Sequence, residues 1–333
     1  MLIYAAMRTN LPDVIHGHTS IFSPAGTPAH LVFGLSQLIL SITLIIFVLV
    51  AGLLCFALIR YRHRPEDPQA LREPAQIYGS NQIELSWTVV PILIVVMLFL
   101  ATARVIYTTE HASKPSEAVD VTVIGHQFWW EYRYPKYDVV TANELHIPVS
   151  DRTHPTPAYL TMSSADTNHS FWVPRLAGKM DVIPNQVNTM WIDPPSAGLY
   201  LGQCAQFCGT QHAKMLLRVY ADTPEQFKAW IEQQQKTSVQ NPGAMAGEQV
   251  FLHNACISCH TVAGTAAAGR FGPDLTHVAS RDTLASGSVP NTPANLRAFV
   301  ADPAHFKPGA LMPPMHLNKQ DLDAVTVYLA TLK

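Results

Sequence analysis

Charged side chains are scarce in this chain. Of its 333 residues, 22 are Lys or Arg and 24 are Asp or Glu, 14% in all, and they nearly cancel to a formal charge of −2. That balance offers no surface for a polyanion, so no nucleic-acid partner is expected. Charge is absent altogether between Leu31 and Ile59. A continuous apolar core is missing from residues 1–15, which argues against a cleavable signal peptide. Cysteines number only five. No acid/base pair or activated nucleophile stands out, so the chain shows no catalytic constellation of its own.

Hydrophobic residues make up 48% of the chain, a share that points to membrane spans when charge is so low. The run at residues 31–59 exceeds the ~20 apolar residues that cross a bilayer. A second run covers residues 85–103, with Pro91 near its start, where a helix tolerates proline best. The alternative for each run is a buried core helix. Between them lie Arg60, Arg62, His63, Arg64 and Arg72, whereas Arg8 is the only Lys or Arg in the first 30 residues. The positive-inside rule places the 60–84 loop in the cytoplasm and everything after about residue 108 outside.

The 25 prolines and 17 glycines fit short strands and many turns. Val119, Val121 and Val123 alternate with Asp120, Thr122 and Ile124. Residues 158–163, 187–193, 198–202 and 215–221 are further β-prone segments, which together point to a sandwich or barrel. Thr223-Pro224-Glu225 reads as the start of a helix reaching about Lys236. Residues 238–243 read as a linker. From residue 244 the pattern turns helical, with Asn318 as a cap and Leu322, Val325, Leu329 and Leu332 on one face. The expected layout is an N-terminal segment 1–30, a transmembrane hairpin 31–107, a β-domain 108–222, a helix and linker 223–243, and an all-α domain 244–333.

Two motifs carry chemistry. Cys204, Cys208, His212 and Met215 follow a Cys-x3-Cys-x3-His-x2-Met pattern. Thiolate, imidazole and thioether together suit copper better than calcium, magnesium or catalytic zinc. Two thiolates four residues apart can bridge two coppers. His169 is the candidate for a further ligand, and Gln206 is placed to add a backbone carbonyl. A disulfide or a tetrahedral zinc site remains an alternative. The second motif, Cys256-Ile257-Ser258-Cys259-His260, is the pattern of covalent c-type haem attachment, with His260 as an axial ligand. Met312 is the candidate second axial ligand and Met315 the fallback. A redox dithiol or half a zinc site is the alternative there.

With Gly198-Leu199-Tyr200-Leu201-Gly202-Gln203-Cys204 and His169-Ser170-Phe171-Trp172-Val173-Pro174, these motifs resemble subunit II of cytochrome c oxidase. The C-terminal domain makes the chain similar to the caa-type branch, in which a cytochrome c is fused to that subunit. The resemblance implies a hairpin anchor, a cupredoxin-like sandwich and a class I-like cytochrome c domain. It implies dinuclear copper-A on His169, Cys204, Gln206, Cys208, His212 and Met215, and haem c on Cys256, Cys259, His260 and Met312. The implied role is passing electrons from cytochrome c or another donor to subunit I, where oxygen is reduced and protons are translocated. Subunit III is a further implied partner, and the implied location is a bacterial inner membrane with the copper and haem domains on the periplasmic side. Glu84 resembles the acidic residue at the mouth of a proton path; its alternative is a solvated charge at a helix start.

The segment Phe128-Trp129-Trp130 resembles the family's electron intake, but Phe128 stands where Trp is common, which puts intake from a soluble donor in doubt. Core packing is the alternative for these rings. Gln206 stands where many members have Glu, and an amide is a weaker ligand for magnesium, so that interface ion is left open. The other functions weighed are a copper-A subunit of a nitric oxide reductase and a stand-alone membrane-anchored electron carrier or copper-delivery protein.

Overall fold

A computed structural model describes residues 19–62, 76, 78–150, 153, 155–238 and 241–333. Arg8, His63, Arg64 and Arg72, on which the charge argument for topology partly rests, lie outside the described residues.

The two uncharged runs form α1 (Thr27–Arg60) and α2 (Asn81–Glu110). At ~1.5 Å per residue they are about 51 and 45 Å long, more than the ~30 Å hydrocarbon core. Both are long and apolar enough to cross a membrane, and neither buries a side chain within its apolar window. Several of their hydroxyls bond within the helix: Ser36 and Ser41 donate to the carbonyls of Val32 and Gln37, and Ser86 to that of Gln82, each at 2.8 Å. Such bonding suits a setting without water. Pro91 corrects the sequence reading. The polar residues Asn81, Gln82 and Glu84 already belong to the helix, so Pro91 sits in its interior. A proline there removes one backbone bond, which a long helix in an apolar medium tolerates.

Contacts divide the chain into two compact units, residues 31–112 on one side and residues 113–333 with the stretch up to His30 on the other. In the second unit, ten strands form two five-stranded sheets. They are β1 (Val119–His126), β2 (Trp129–Tyr134), β3 (Val139–Ala142), β4 (Glu144–Pro148), β5 (Ala158–Ser164), β6 (His169–Trp172), β7 (Met180–Val182), β8 (Asn188–Ile192), β9 (Gly198–Cys204) and β10 (Leu216–Asp222). The sheet orders are β3-β2-β1-β5-β8 and β4-β10-β9-β6-β7. The β1–β5 and β10–β4 pairs are parallel, the others antiparallel. Val119, Val121 and Val123 point inward as their alternation predicts. All five residues of β4 are buried, so that strand gave no alternation to read.

α3 (Pro224–Gln234) begins with the expected cap: Thr223 Oγ1 accepts from Gln226 N at 3.3 Å, and Gln226 Oε1 accepts from Thr223 N at 3.0 Å. Its Phe227, Trp230 and Ile231 join the sandwich core. Beyond it come α4 (Met245–His253), α5 (Cys256–Cys259), the short strands β11 (Thr283–Leu284) and β12 (Val289–Pro290), α6 (Pro293–Ala301), α7 (Pro303–Phe306) and α8 (Lys319–Thr331). Asn318 caps α8 by accepting from Asp321 N at 2.9 Å. The predicted face of Leu322, Val325, Leu329 and Leu332 is buried with Phe251, Leu296 and Val300 in a second core.

Candidate metal centre and haem cleft

The metal candidates converge at one end of the sandwich because three segments meet there. His169 opens β6, Cys204 closes β9, and the loop to β10 brings Cys208, His212 and Met215 back over both. Cys204 Sγ lies 3.9 Å from Cys208 Sγ and 3.9 Å from His169 Nδ1. Cys208 Sγ lies 3.7 Å from His212 Nδ1 and 3.9 Å from Met215 Sδ. The Gln206 carbonyl is 3.1 Å from Cys204 Sγ. All six predicted donors are therefore together, while the Gln206 side chain faces solvent. Two thiols this close, with imidazole, thioether and carbonyl donors around them, would hold soft metal ions once deprotonated. The donor set fits a pair of soft ions.

Neighbours missed by the sequence reading prepare this set. Asp166 Oδ1 lies 2.8 Å from His169 Nε2. A carboxylate accepts, so Nε2 carries the proton and Nδ1 is left facing the sulfurs. Burial favours neutral His169, but Asp166 and Cys204 outweigh it and raise its affinity for a proton. Burial likewise opposes charge on Asp166, yet bonds from His169, Thr167 N and Gln127 N hold its carboxyl below the usual range. Gly125 makes room, since a Cβ there would come within 2.8 Å of the His169 ring. Cys204 is drawn down to about 3, first by its bond with Cys208, while Cys208 is pushed up by that same neighbour. Cys204 gives up its proton far more readily than Cys208, and incoming cations would displace the one Cys208 keeps. Asp166, three residues before His169, was the one readable signal.

In the C-terminal domain, one turn of helix puts Cys256 and Cys259 on the wall of an apolar cleft that also includes His260, Met312 and Met315. His260 Nδ1 donates to the Pro273 carbonyl at 2.7 Å, which leaves Nε2 as the ligand atom. Burial lowers the His260 pKa, favouring the neutral form a metal needs. A Cβ at Gly272 would come within 2.6 Å of the His260 ring, so only glycine leaves the imidazole its place. Arg281 also lines the cleft, and its Nε is buried without a hydrogen-bond partner. That orphaned donor suits an anionic group such as a haem carboxylate. The residues fit a covalently held haem. Met312 and Met315 both line the cleft.

The aromatic segment reaches both regions. Trp130 is fully buried in the sandwich, edge-on to His169 at 5.9 Å between ring centroids. Phe128 is buried in the same core and also lines the haem cleft, beside Trp129. Gln127 joins the two regions, donating from Nε2 to the Cys208 carbonyl at 2.6 Å. Glu84 is exposed in the first turn of α2.

Soft donors gathered this tightly, in one compact unit with a Cys-x-x-Cys-His cleft, define a class of protein suited to hold soft metal ions and a covalent haem. Comparison with known proteins narrows the class. Three family descriptions match in succession: the transmembrane domain of cytochrome c oxidase subunit II at residues 17–105, its periplasmic domain at 152–221, and cytochrome c at 244–333. The chain is 32% identical to cytochrome c oxidase subunit 2 of Alkalihalophilus pseudofirmus, over 93% of this chain and 90% of the relative. It is 31% identical to the subunit 2 of Bacillus sp. strain PS3, over 94% and 91%. A crystal structure of the periplasmic domain of subunit II from Bradyrhizobium japonicum matches 37% of this chain and 96% of that one, at 24% identity and a TM-score of 0.34. The chain belongs to the cytochrome c oxidase subunit II family, with a cytochrome c domain at its C-terminal end.

Proposed function

We propose that this chain is the electron-transfer subunit of a haem–copper terminal oxidase in a bacterial inner membrane. It receives electrons at haem c from cytochrome c or another donor and delivers them through copper-A to subunit I, where oxygen is reduced and protons are translocated. The observation that supports this most is the convergence of six soft or carbonyl donors beside a Cys-x-x-Cys-His cleft in one compact unit.

Copper and haem iron bound at these places would supply reversible one-electron oxidation and reduction. The protein's work is to hold geometry through that change. Cys204, Cys208, Met215 and His169 are buried, which excludes water from the centre. Asp166 fixes the His169 tautomer, Pro273 fixes that of His260, and Gln127 links the segment before Phe128 to the Cys208 backbone. α1 and α2 would anchor the domains on the periplasmic side. Glu84 would stand at the mouth of a proton path into subunit I, and subunit III would complete the assembly. The Gln206 side chain faces solvent, and its amide would hold an interface magnesium ion more weakly than a carboxylate.

Purification from the native membrane tests the proposal. Co-purification with a multi-span haem protein and oxygen consumption on addition of reduced cytochrome c are expected. A partner that reduces nitric oxide instead, or isolation of the chain alone, would refute the oxidase assignment.

A further inference from the structure

Glu144 opens β4, the outer strand of its sheet, yet it is only 2% exposed. The groups that cover its carboxylate come from the haem domain. It accepts from Asp282 N at 3.0 Å, from Thr283 N at 2.9 Å and from Thr283 Oγ1 at 2.7 Å. A carboxylate is tolerated in such a place only where strong hydrogen bonds replace water.

The same strap of chain, residues 281–288, is fastened again along its length. Tyr220 OH donates to Asp282 Oδ2 at 2.7 Å, and Arg218 Nη2 donates to the Gly287 carbonyl at 2.8 Å. Ser286 Oγ donates to the Phe128 carbonyl at 2.6 Å, and buried Lys307 donates to that carbonyl at 2.5 Å. Phe128 is itself only 7% exposed. At its start, the strap carries Arg281 into the haem cleft. One segment therefore touches the cleft, the outer strand of the copper domain and the residue where the family pattern places electron intake.

We infer that the 281–288 strap locks the haem domain onto the copper domain, with Glu144 as its main fastening, so that Phe128 is an internal junction and not a landing surface for a soluble donor. The inference rests on the proposed copper and haem reading. Its consequence is that a soluble donor reduces the haem domain, and transfer onward to copper involves no diffusional docking. Glu144 acts here as a positioning residue.

The test uses the full chain in detergent, as wild type, Glu144→Ala, Glu144→Gln and Ser286→Ala. Amide hydrogen exchange reads the lock directly. Exchange across residues 281–288 should rise at least about tenfold in Glu144→Ala, because hydrogen bonds to a charged group carry roughly that factor or more. Glu144→Gln keeps one acceptor oxygen and should show a smaller rise. Flash reduction of the haem, followed at the copper absorption, reads the consequence. The wild-type rate should be first-order and insensitive to added glycerol, while Glu144→Ala should be slower and viscosity-dependent. A viscosity-dependent wild type, or a Glu144→Ala chain with unchanged exchange and rate, overturns the inference. If Glu144→Ala does not fold, Ser286→Ala, which exposes no charge, decides together with the wild-type viscosity series. A preparation without covalent haem or copper breaks the proposed function, whereas the exchange measurement still tests the lock.

Discussion

Replacing Asp166 with Ala should weaken copper binding without changing any copper ligand. The Asp166 carboxylate accepts from His169 Nε2 at 2.8 Å, from Gln127 N at 2.6 Å and from Thr167 N at 2.6 Å. Its loss frees the His169 ring to rotate or change tautomer, and it releases the segment whose Gln127 side chain holds the Cys208 carbonyl. Removing a partner of this kind costs about 10–100-fold in metal affinity. At ~1.4 kcal/mol per tenfold, that is about 1.4–2.8 kcal/mol. Asp166→Asn keeps an acceptor oxygen and should lie near the lower end. The assay is titration of the copper-free full chain against a chelator of known affinity, with the haem spectrum as a control for folding. An Asp166→Ala affinity within twofold of wild type would refute the claim that this carboxylate orients His169.

Copper uptake by the metal-free chain should release protons and tighten as pH rises, because Cys208 retains the proton that Cys204 gives up; calorimetry in buffers of different ionisation enthalpy measures it. Met312→Leu should leave the haem covalently attached but lower its reduction potential, whereas Met315→Leu should not; the reverse would exchange their roles. Leu329→Ala should destabilise the haem domain by about 2–5 kcal/mol, read as a lower unfolding midpoint, since Leu329 is buried in the second core. Burial opposes charge on Glu131, but bonds from His126 and Arg133 hold its pKa below the ordinary value. Its stabilisation is therefore complete above the free carboxyl pKa of ~4.3 and is lost as pH falls through the depressed folded value. Glu131→Gln should flatten the acid limb of an unfolding curve below that pH.

The convergence of the candidate ligands was legible because metal chemistry constrains residue type and spacing so closely. Cys204, Cys208, His212 and Met215 lie within twelve residues, and His169 was found from its company alone. Helix signals at Thr223 and Asn318 were equally readable, since capping is a local interaction between neighbours in sequence. The interior position of Pro91 is hidden from a hydropathy run because polar Asn81, Gln82 and Glu84 set the start of α2. Glu144, Lys307 and Arg281 could not be read at all. Each looks like an ordinary surface charge, and its importance comes from partners more than twenty residues away or, for Arg281, from a cleft wall assembled across the whole domain. Trp130 and Phe128, two positions apart in one aromatic run, both pack in the sandwich core, but Phe128, just before β2, also reaches the cleft wall.

The copper-to-haem ratio of the purified chain, combined with electron paramagnetic resonance of its oxidised form, decides whether it holds a copper pair beside haem c. Two coppers per covalent haem c are expected, with one unpaired electron split by two equivalent copper nuclei. One copper per haem, zinc in its place, or a signal split by a single nucleus would contradict a copper pair.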